Sequence, residues 1–277
     1  MYQQADKILL NYINGDYSCH IPQNYEGAIY QVFSSVEQLA TMLQSKNETE
    51  RKAKEFLKDT ISDISHQLKT PLAALTMYQE IIESEPENAE TVKQFAAKMG
   101  ISLKRMEQLI LSMLKITRLD TGNIIFEKKS CRVSELIAHS VNELTARAKN
   151  ENKQIQIDGD GEQKLICDME WTGEAIGNIV KNALDHTQVG GIVRITWNRA
   201  PAMFQIFISD NGSGIAPEDI HHIFKRFYRS KHSIDTQGIG LGLPLAKSII
   251  EGQGGVISVQ SESGKGTLFT LSFLTEL

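Results

Sequence analysis

The sequence is poor in cysteine, has no long apolar run and carries no excess of positive charge. Its three cysteines, Cys19, Cys131 and Cys167, stand far apart in 277 residues and form no CxxC pair. This argues against a disulfide framework or a zinc site and fits a reducing compartment. Nowhere do about 18 apolar residues run together, so no membrane-spanning helix is expected. The opening stretch, MYQQADKILLNYING, lacks the apolar core and cleavage site of a signal peptide. A net charge of -5 leaves no basic face to displace counterions, so nucleic acid is not an expected partner. Internal repeats and low-complexity segments are absent too. What is present is a 41% hydrophobic and 23% charged chain, enough for one large domain or two ordinary ones.

Residues 1–14 read as a short helix with Ile8, Leu9, Tyr12 and Ile13 on one side. Gly15-Asp16 breaks it, and a polar connector runs through Pro22. A second helical pattern begins near Glu26 and returns, after a polar run, as Leu57, Ile61, Ile64, Leu68, Leu72 and Leu75. No glycine or proline intervenes between Ala28 and Thr70, which predicts one long helix or two abutting ones. A turn at Glu85–Asn88 leads into another helix from Val92 to Ile116, ended by Gly122. Such a hairpin leaves half its apolar stripe bare and is expected to pair with a second copy as a four-helix bundle. An internal bundle packed on the C-terminal part is the alternative.

From Ile124 the texture changes. Strands are predicted at 124–126, 155–157, 192–197, 203–209, 256–260 and 267–273, and helices at 134–150, 171–186 and 243–252. The fold class is thus α+β and multidomain: a helical hairpin, then an α/β sandwich. The glycine-punctuated stretch from Gly212 to Gly242 reads as a lid.

Four features carry chemistry. His66, in Ser65-His66-Gln67-Leu68-Lys69-Thr70-Pro71, falls off the stripe of Ile61, Ile64 and Leu68 and faces solvent. A solvated imidazole at neutral pH is a competent nucleophile. Thr70 lies one turn later on the same face, and Pro71 removes a backbone donor. Asn178 and Asn182 share a helix face with Glu174 and Asp185, and their amide oxygens suit Mg²⁺ shared with phosphates. Alone, this is equally a solvated polar face. Asp210-Asn211-Gly212-Ser213-Gly214 follows a strand, where a carboxylate can accept an exocyclic amine and glycines admit a ligand. Gly238, Gly240 and Gly242 precede a helix whose N-terminus favours phosphate. Neither a Rossmann fingerprint nor a Walker loop fits them. Gly264-Lys265-Gly266-Thr267 is a third glycine turn, for which a plain hairpin is equally good. In between, Phe224 and Phe227 can pin the lid, while Arg226, Arg229 and Lys231 can meet a terminal phosphate.

In this order and spacing, these motifs resemble the sensor histidine kinase family of two-component signalling, over residues 55–275. The resemblance implies a dimeric hairpin domain followed by an ATPase domain of the Bergerat fold, shared with gyrase and heat-shock ATPases. It implies that the chain binds ATP with Mg²⁺ and phosphorylates His66. The phosphoryl would then pass to an aspartate of a response-regulator receiver domain. Gln67, Thr70 and Asn178 would join His66 in the catalytic set. Asn178 and Asn182 would hold the metal, and Asp210 would read adenine. Asp185, Gly212, Gly214, Arg226, Arg229, the Gly238, Gly240 and Gly242 loop and Thr267 would contact the nucleotide. Thr70 matches the position that serves phosphatase activity toward the regulator.

Residues 1–50 resemble a HAMP linker, with Gly15, Tyr17, Ile21, Glu26 and Gly27 in its connector. The expected division is therefore 1–50 linker, 51–121 dimerisation and phosphoacceptor, and 122–277 ATP-binding. The expected place is the cytoplasmic part of a bacterial membrane-anchored sensor. Two residues depart from the pattern. Gln67 replaces an acid after His66, and Asp185 stands where the family often has lysine, so it must meet the metal or pair with a lid cation. A silent ATP-binding scaffold, or a clamp ATPase sharing only the nucleotide fold, are the competing functions.

Overall fold

The computed structural model describes residues 2–13, 28–122, 124–230 and 238–275. The connector expected around Gly15, Tyr17, Ile21, Glu26 and Gly27 lies outside the described residues, as does Lys231. The chain divides into two compact units, residues 1–70 and 71–277.

Two helices open the chain, α1 (Tyr2–Ile13) and α2 (Ala28–Ser84). With no glycine or proline between Ala28 and Thr70, α2 runs on as a single element and contains Pro71. Proline has no N–H for the carbonyl four residues back, here that of Gln67. In the first unit, Tyr12 of α1 and Ala40 of α2 are buried, with Ile8 and Val36 packed against them. Ion pairs one turn apart, Lys54 to Glu50 and Arg51 to Glu55, dress the exposed side of α2.

In the second unit, the last part of α2 turns into α3 (Ala89–Asp120). Asn88 caps α3 by accepting the Thr91 N–H at 3.2 Å, while Glu85 accepts from the Asn88 amide and the Thr91 hydroxyl. Tyr78 and Phe95 join the two helices, their ring centroids 5.6 Å apart. Gly122, at a φ of 66°, closes α3 as expected, donating its N–H to the Leu119 carbonyl.

There follow β1 (Lys129–Arg132), α4 (Val133–Asn150), β2 (Gln154–Asp158), β3 (Lys164–Cys167) and α5 (Met169–His186). Then come β4 (Ile192–Arg199), β5 (Met203–Asp210), α6 (Pro217–Ile220), α7 (Gly242–Gly252), β6 (Val256–Glu262) and β7 (Gly266–Leu274). Five strands make one sheet in the order β2-β4-β5-β7-β6, parallel only between β2 and β4. Period-two patterning sends Val193, Ile195, Phe204, Ile206, Ile208, Phe269 and Leu271 to one buried face. Against them lies α5 with its buried Ile176, Ile179 and Val180, and on α5 in turn pack α7, with Leu245 and Ile249, and α4, with Leu136 and Ile137. Each such aliphatic side chain is worth about 1.5–3 kcal/mol of burial, so this helix-on-sheet layer dominates the stability of the unit. The end of α3 joins it through the buried Leu109, Met113 and Ile116, which pack toward α7.

Three features differ from expectation. The strand predicted at 124–126 does not form, because no neighbouring strand is there to pair with it. Instead Phe126 inserts between helices, edge-on to Trp171 at 6.1 Å and so close to Gly252 that a Cβ there would meet its ring at 2.9 Å. Second, β1 and β3 form a separate antiparallel pair that brings Cys131 and Cys167, distant in sequence, to 3.5 Å between sulfurs. Third, the buried Gln253 ties three segments together. Its Oε1 accepts the Asp168 N–H at 2.7 Å, its Nε2 donates to Thr172, and its carbonyl accepts Lys128 Nζ.

Candidate active site

The site is built on α5. Asp168 caps this helix, accepting the Trp171 N–H at 3.2 Å on one oxygen and the Glu127 N–H at 2.9 Å on the other. The buried face of α5 sets its rotation, so Asn178, Asn182 and Asp185 look away from the core. Asn182, Asp185 and His186 line a cavity of about 420 Å³ whose other walls are Asp210, Gly214, Gly238, Gly240 and Thr267. That volume lies in the range of pockets for nucleotide-sized ligands, ~300–1,000 Å³.

Asp210 ends β5 and accepts the Gly212 N–H at 2.9 Å. Burial raises its carboxyl above the usual carboxylate range, while the Gly212 and Thr267 backbone N–H groups and His186 pull it back. It is thus a fixed, partly dried acceptor at the cavity wall. The turns around it leave no room for side chains. A Cβ on Gly214, where φ is 65°, would come within 2.1 Å of the Glu262 carbonyl oxygen. A Cβ on Gly240, where φ is 76°, would strike the backbone of Phe227 at 2.8 Å. Phe227 itself has a φ of 60° and donates its N–H to the Gly240 carbonyl at 2.9 Å. A bulky residue in that region is strained by ~1–3 kcal/mol, and such strain gathers at ligand clamps. Phe224 fastens the same segment edge-on to Phe269 at 6.4 Å.

The glycine turn at 264–266 is the β6–β7 hairpin, and it sets Thr267 at the cavity wall, within 3.0 Å of the Ser261 hydroxyl. Arg229 also lines the cavity. Arg226 does not: it forms an ion pair with Asp120 at the end of α3.

Asn178 is set back from the cavity wall. Its Nδ2 donates to the Glu174 carbonyl at 3.0 Å, and its Oδ1 faces the first residue of α7, 3.1 Å from where a Gly242 Cβ would sit. Its free-facing atom is therefore an acceptor, as a hard cation requires. Glu174 is drawn off by Lys115 of α3 at 2.5 Å. Among the described residues no three His, Cys, Asp or Glu side chains cluster as a metal cage. The donor set fits Mg²⁺ held by one or two amide oxygens, with phosphate and water supplying the rest.

His66 stands exposed on α2, in the first unit, with Thr70 exposed and Gln67 half-buried. The Thr70 hydroxyl donates to the His66 carbonyl at 3.4 Å, leaving the imidazole to solvent.

Several residues were not foreseen. Asp219, buried beside the cavity, accepts the Tyr228 hydroxyl, which raises the Tyr228 phenol above its usual range. Pro217 followed by Glu218 and Asp219 was the available signal for the short helix α6. Asp185 has a partner on a neighbouring helix. Arg147 of α4 holds it at 2.6 Å, a contact across 38 residues that no local pattern announces.

Comparison with known proteins now decides the family. Residues 56–122 match the model of the His Kinase A (phospho-acceptor) domain. Residues 167–277 match that of the Histidine kinase-, DNA gyrase B-, and HSP90-like ATPase. Over 217 residues the chain is 30% identical to the Sensor-like histidine kinase SenX3 of Mycobacterium tuberculosis, covering 78% of this chain and 53% of SenX3.

The chain belongs to the sensor histidine kinase family.

Sensor protein SrrB of Staphylococcus aureus is likewise 30% identical, over 77% of this chain and 37% of its own length. The chain thus spans about half of SenX3 and a little over a third of SrrB. For the fold, histidine kinase ThkA, solved in complex with response regulator protein TrrA, superposes with a TM-score of 0.67 at 21% identity. That likeness covers 83% of this chain and 66% of ThkA. In this chain a helical region that matches the phospho-acceptor model precedes an α/β domain that matches the ATPase model. Among the described residues no helix is long and apolar enough to cross a membrane.

Proposed function

We propose that this chain phosphorylates itself on His66 from ATP and passes the phosphoryl group to an aspartate of a response-regulator receiver domain. The observation that carries this reading is the exposed His66 in a chain that also holds a cavity walled by Asn182, Asp210 and glycine turns. In the transfer, an imidazole nitrogen forms a bond to the γ-phosphorus as the bond to the β-γ bridging oxygen breaks, and ADP leaves. Such transfer is mostly positioning and charge stabilisation. Asp210 orients the base by accepting its amine, and the first turn of α7 offers backbone N–H groups to phosphate. Asn178 and Asn182 would hold Mg²⁺, which supplies charge to the developing phosphate oxygens. Gln67 can orient the imidazole by a hydrogen bond but cannot take up its proton, so bulk water receives it.

The same reading assigns residues 51–121 as the dimerisation and phosphoacceptor domain and 122–277 as the ATP-binding domain. It makes residues 1–50 a HAMP-like signalling linker and the working unit a homodimer. Thr70, one turn from His66, is assigned to phosphatase activity toward the regulator. The receiver domain as partner draws support from ThkA, which has a response regulator bound.

The test is incubation with Mg²⁺ and γ-labelled ATP. Wild type takes up label that is lost in acid and kept in alkali, and His66→Gln takes up none. Tight ATP binding with no label in wild type would favour the silent scaffold instead.

A further inference from the structure

A polyphosphate entering this cavity meets carboxylates: Asp185, Asp210 and Asp219 all line it. Asp210 faces the end where a base amine is accepted, and Asp219 is engaged by the Tyr228 hydroxyl. Asp185 is different. It follows Asn182 by one turn on the same helix and brings a full negative charge to the cavity wall.

Its carboxylate is turned toward α4, where Arg147 Nη2 binds Oδ1 at 2.6 Å. Arg147 is itself aimed by Glu151, whose Oε1 accepts Arg147 Nε at 2.6 Å. Glu151 is fixed in turn by Lys153 at 2.6 Å, and Lys153 is anchored on the Leu184 carbonyl at 2.8 Å. Asp185, Arg147, Glu151 and Lys153 form an alternating chain with no net charge. Lys153 is largely buried and Asp185 mostly so, their side chains 11% and 19% exposed, so solvent screens this chain less than it would a surface pair. The two donors of Arg147 hold two carboxylates at once, a fork that lysine cannot reproduce.

We propose that Arg147 is a positioning residue of the nucleotide site: aimed by Glu151, it holds the Asp185 carboxylate away from the phosphates of ATP and cancels its charge. This rests on the nucleotide reading above. The fold thereby accommodates an acid in the phosphate pocket by supplying its counterion from the neighbouring helix rather than from the lid. At separations of several ångströms in a protein interior of moderate dielectric, one uncompensated carboxylate weakens binding of a multiply charged anion by roughly 10–100-fold.

The experiment is calorimetric binding of ATP, ADP and adenosine to wild type, Arg147→Gln, Asp185→Asn and the double variant, at low and high salt. Arg147→Gln keeps most of the side-chain bulk, and a Tm for each variant establishes that it is folded. The expected result is a loss of ATP affinity of about 10-fold or more in Arg147→Gln, smaller for ADP and within twofold for adenosine. That loss should shrink as salt rises and largely disappear in the double variant. Equal losses for ATP and adenosine would mean a merely structural ion pair, and a double variant as weak as Arg147→Gln would mean that Asp185 is not the source. Either overturns the proposal while leaving the nucleotide site standing. If Arg147→Gln does not fold, the double variant, which removes both charges together, carries the test through its salt dependence. ATP affinity in it that matches Asp185→Asn at both salts supports the proposal, and a deficit overturns it. Wild type that binds no ATP would overturn both readings together.

Discussion

At the scale of single residues, the account turns on a few polar groups whose surroundings decide what they do. Asp210 is one. Because burial raises its carboxyl pKa in the folded chain, the folded state holds that proton more tightly than the unfolded state does. The group therefore costs stability as pH rises from its unfolded value through its folded one, and the cost is complete above that. Asp210→Asn is predicted to weaken ATP binding at least tenfold, a loss of about 1.4 kcal/mol or more, by removing the charged acceptor. Urea titration should show it at least as stable as wild type at neutral pH, with the difference fading in acid. Cys131 is a second case. The neighbouring Cys167 sulfur, as hydrogen-bond partner, lowers its thiol to about 7, and the Cys167 thiol is pushed up. Iodoacetamide is predicted to modify Cys131 ahead of Cys167, with a rate that titrates near pH 7, and Cys167→Ser should move that titration upward. That His66 faces solvent and that Asn182 and Asp210 come together at one cavity was legible in the sequence, because these residues reside in short local motifs. Arg147 was not, since its meaning comes from α4 lying against α5.

At the scale of elements, what counts is how the ends of α5 and α7 are held. Asp168 and Gln253 together tie β3, the start of α5, the end of α7 and the segment leading from α3. Removing the Gln253 amide leaves the Asp168 N–H and the Thr172 hydroxyl buried without it. An unmet buried polar group costs about 1–3 kcal/mol, so Gln253→Leu is predicted to lower unfolding free energy by at least about 2 kcal/mol. Chemical denaturation measures this directly. ATP affinity should fall with it, since α5 carries Asn178 and Asn182. Long periodic elements were readable in advance: α5, β4, β5 and β7 lie within two residues of where patterning puts them, and α3 extends the Val92–Ile116 pattern by three residues at its start and four toward Gly122. The four-residue strands β1 and β3 and the short helix α6 were missed, being too brief to show a period. The strand expected at 124–126 was misread because Phe126 is apolar for a different reason, docking on Trp171 and beside Gly252.

At the scale of the whole molecule, the apolar surface left bare on the hairpin sets the expected assembly. Leu103 and Ile110, seven residues apart on α3, are 56% and 47% exposed, and Leu72 of α2 is 56% exposed. A seven-residue repeat of this kind is the seam of a helical bundle awaiting partners. The chain is predicted to sediment as a dimer, and Ile110→Glu to shift it to monomer with ATP affinity retained, because the cavity lies wholly within residues 182–267. The central claim is that the phosphoryl group from ATP comes to rest on His66. Mass-spectrometric mapping after brief exposure to ATP and Mg²⁺, with peptides kept above neutral pH, tests it most directly. The account predicts one phosphoryl group on the peptide carrying His66, assigned to the imidazole by fragmentation and reduced in Asp210→Asn when ATP is limiting. Phosphate on Ser65 or Thr70 with His66 unmodified would contradict it.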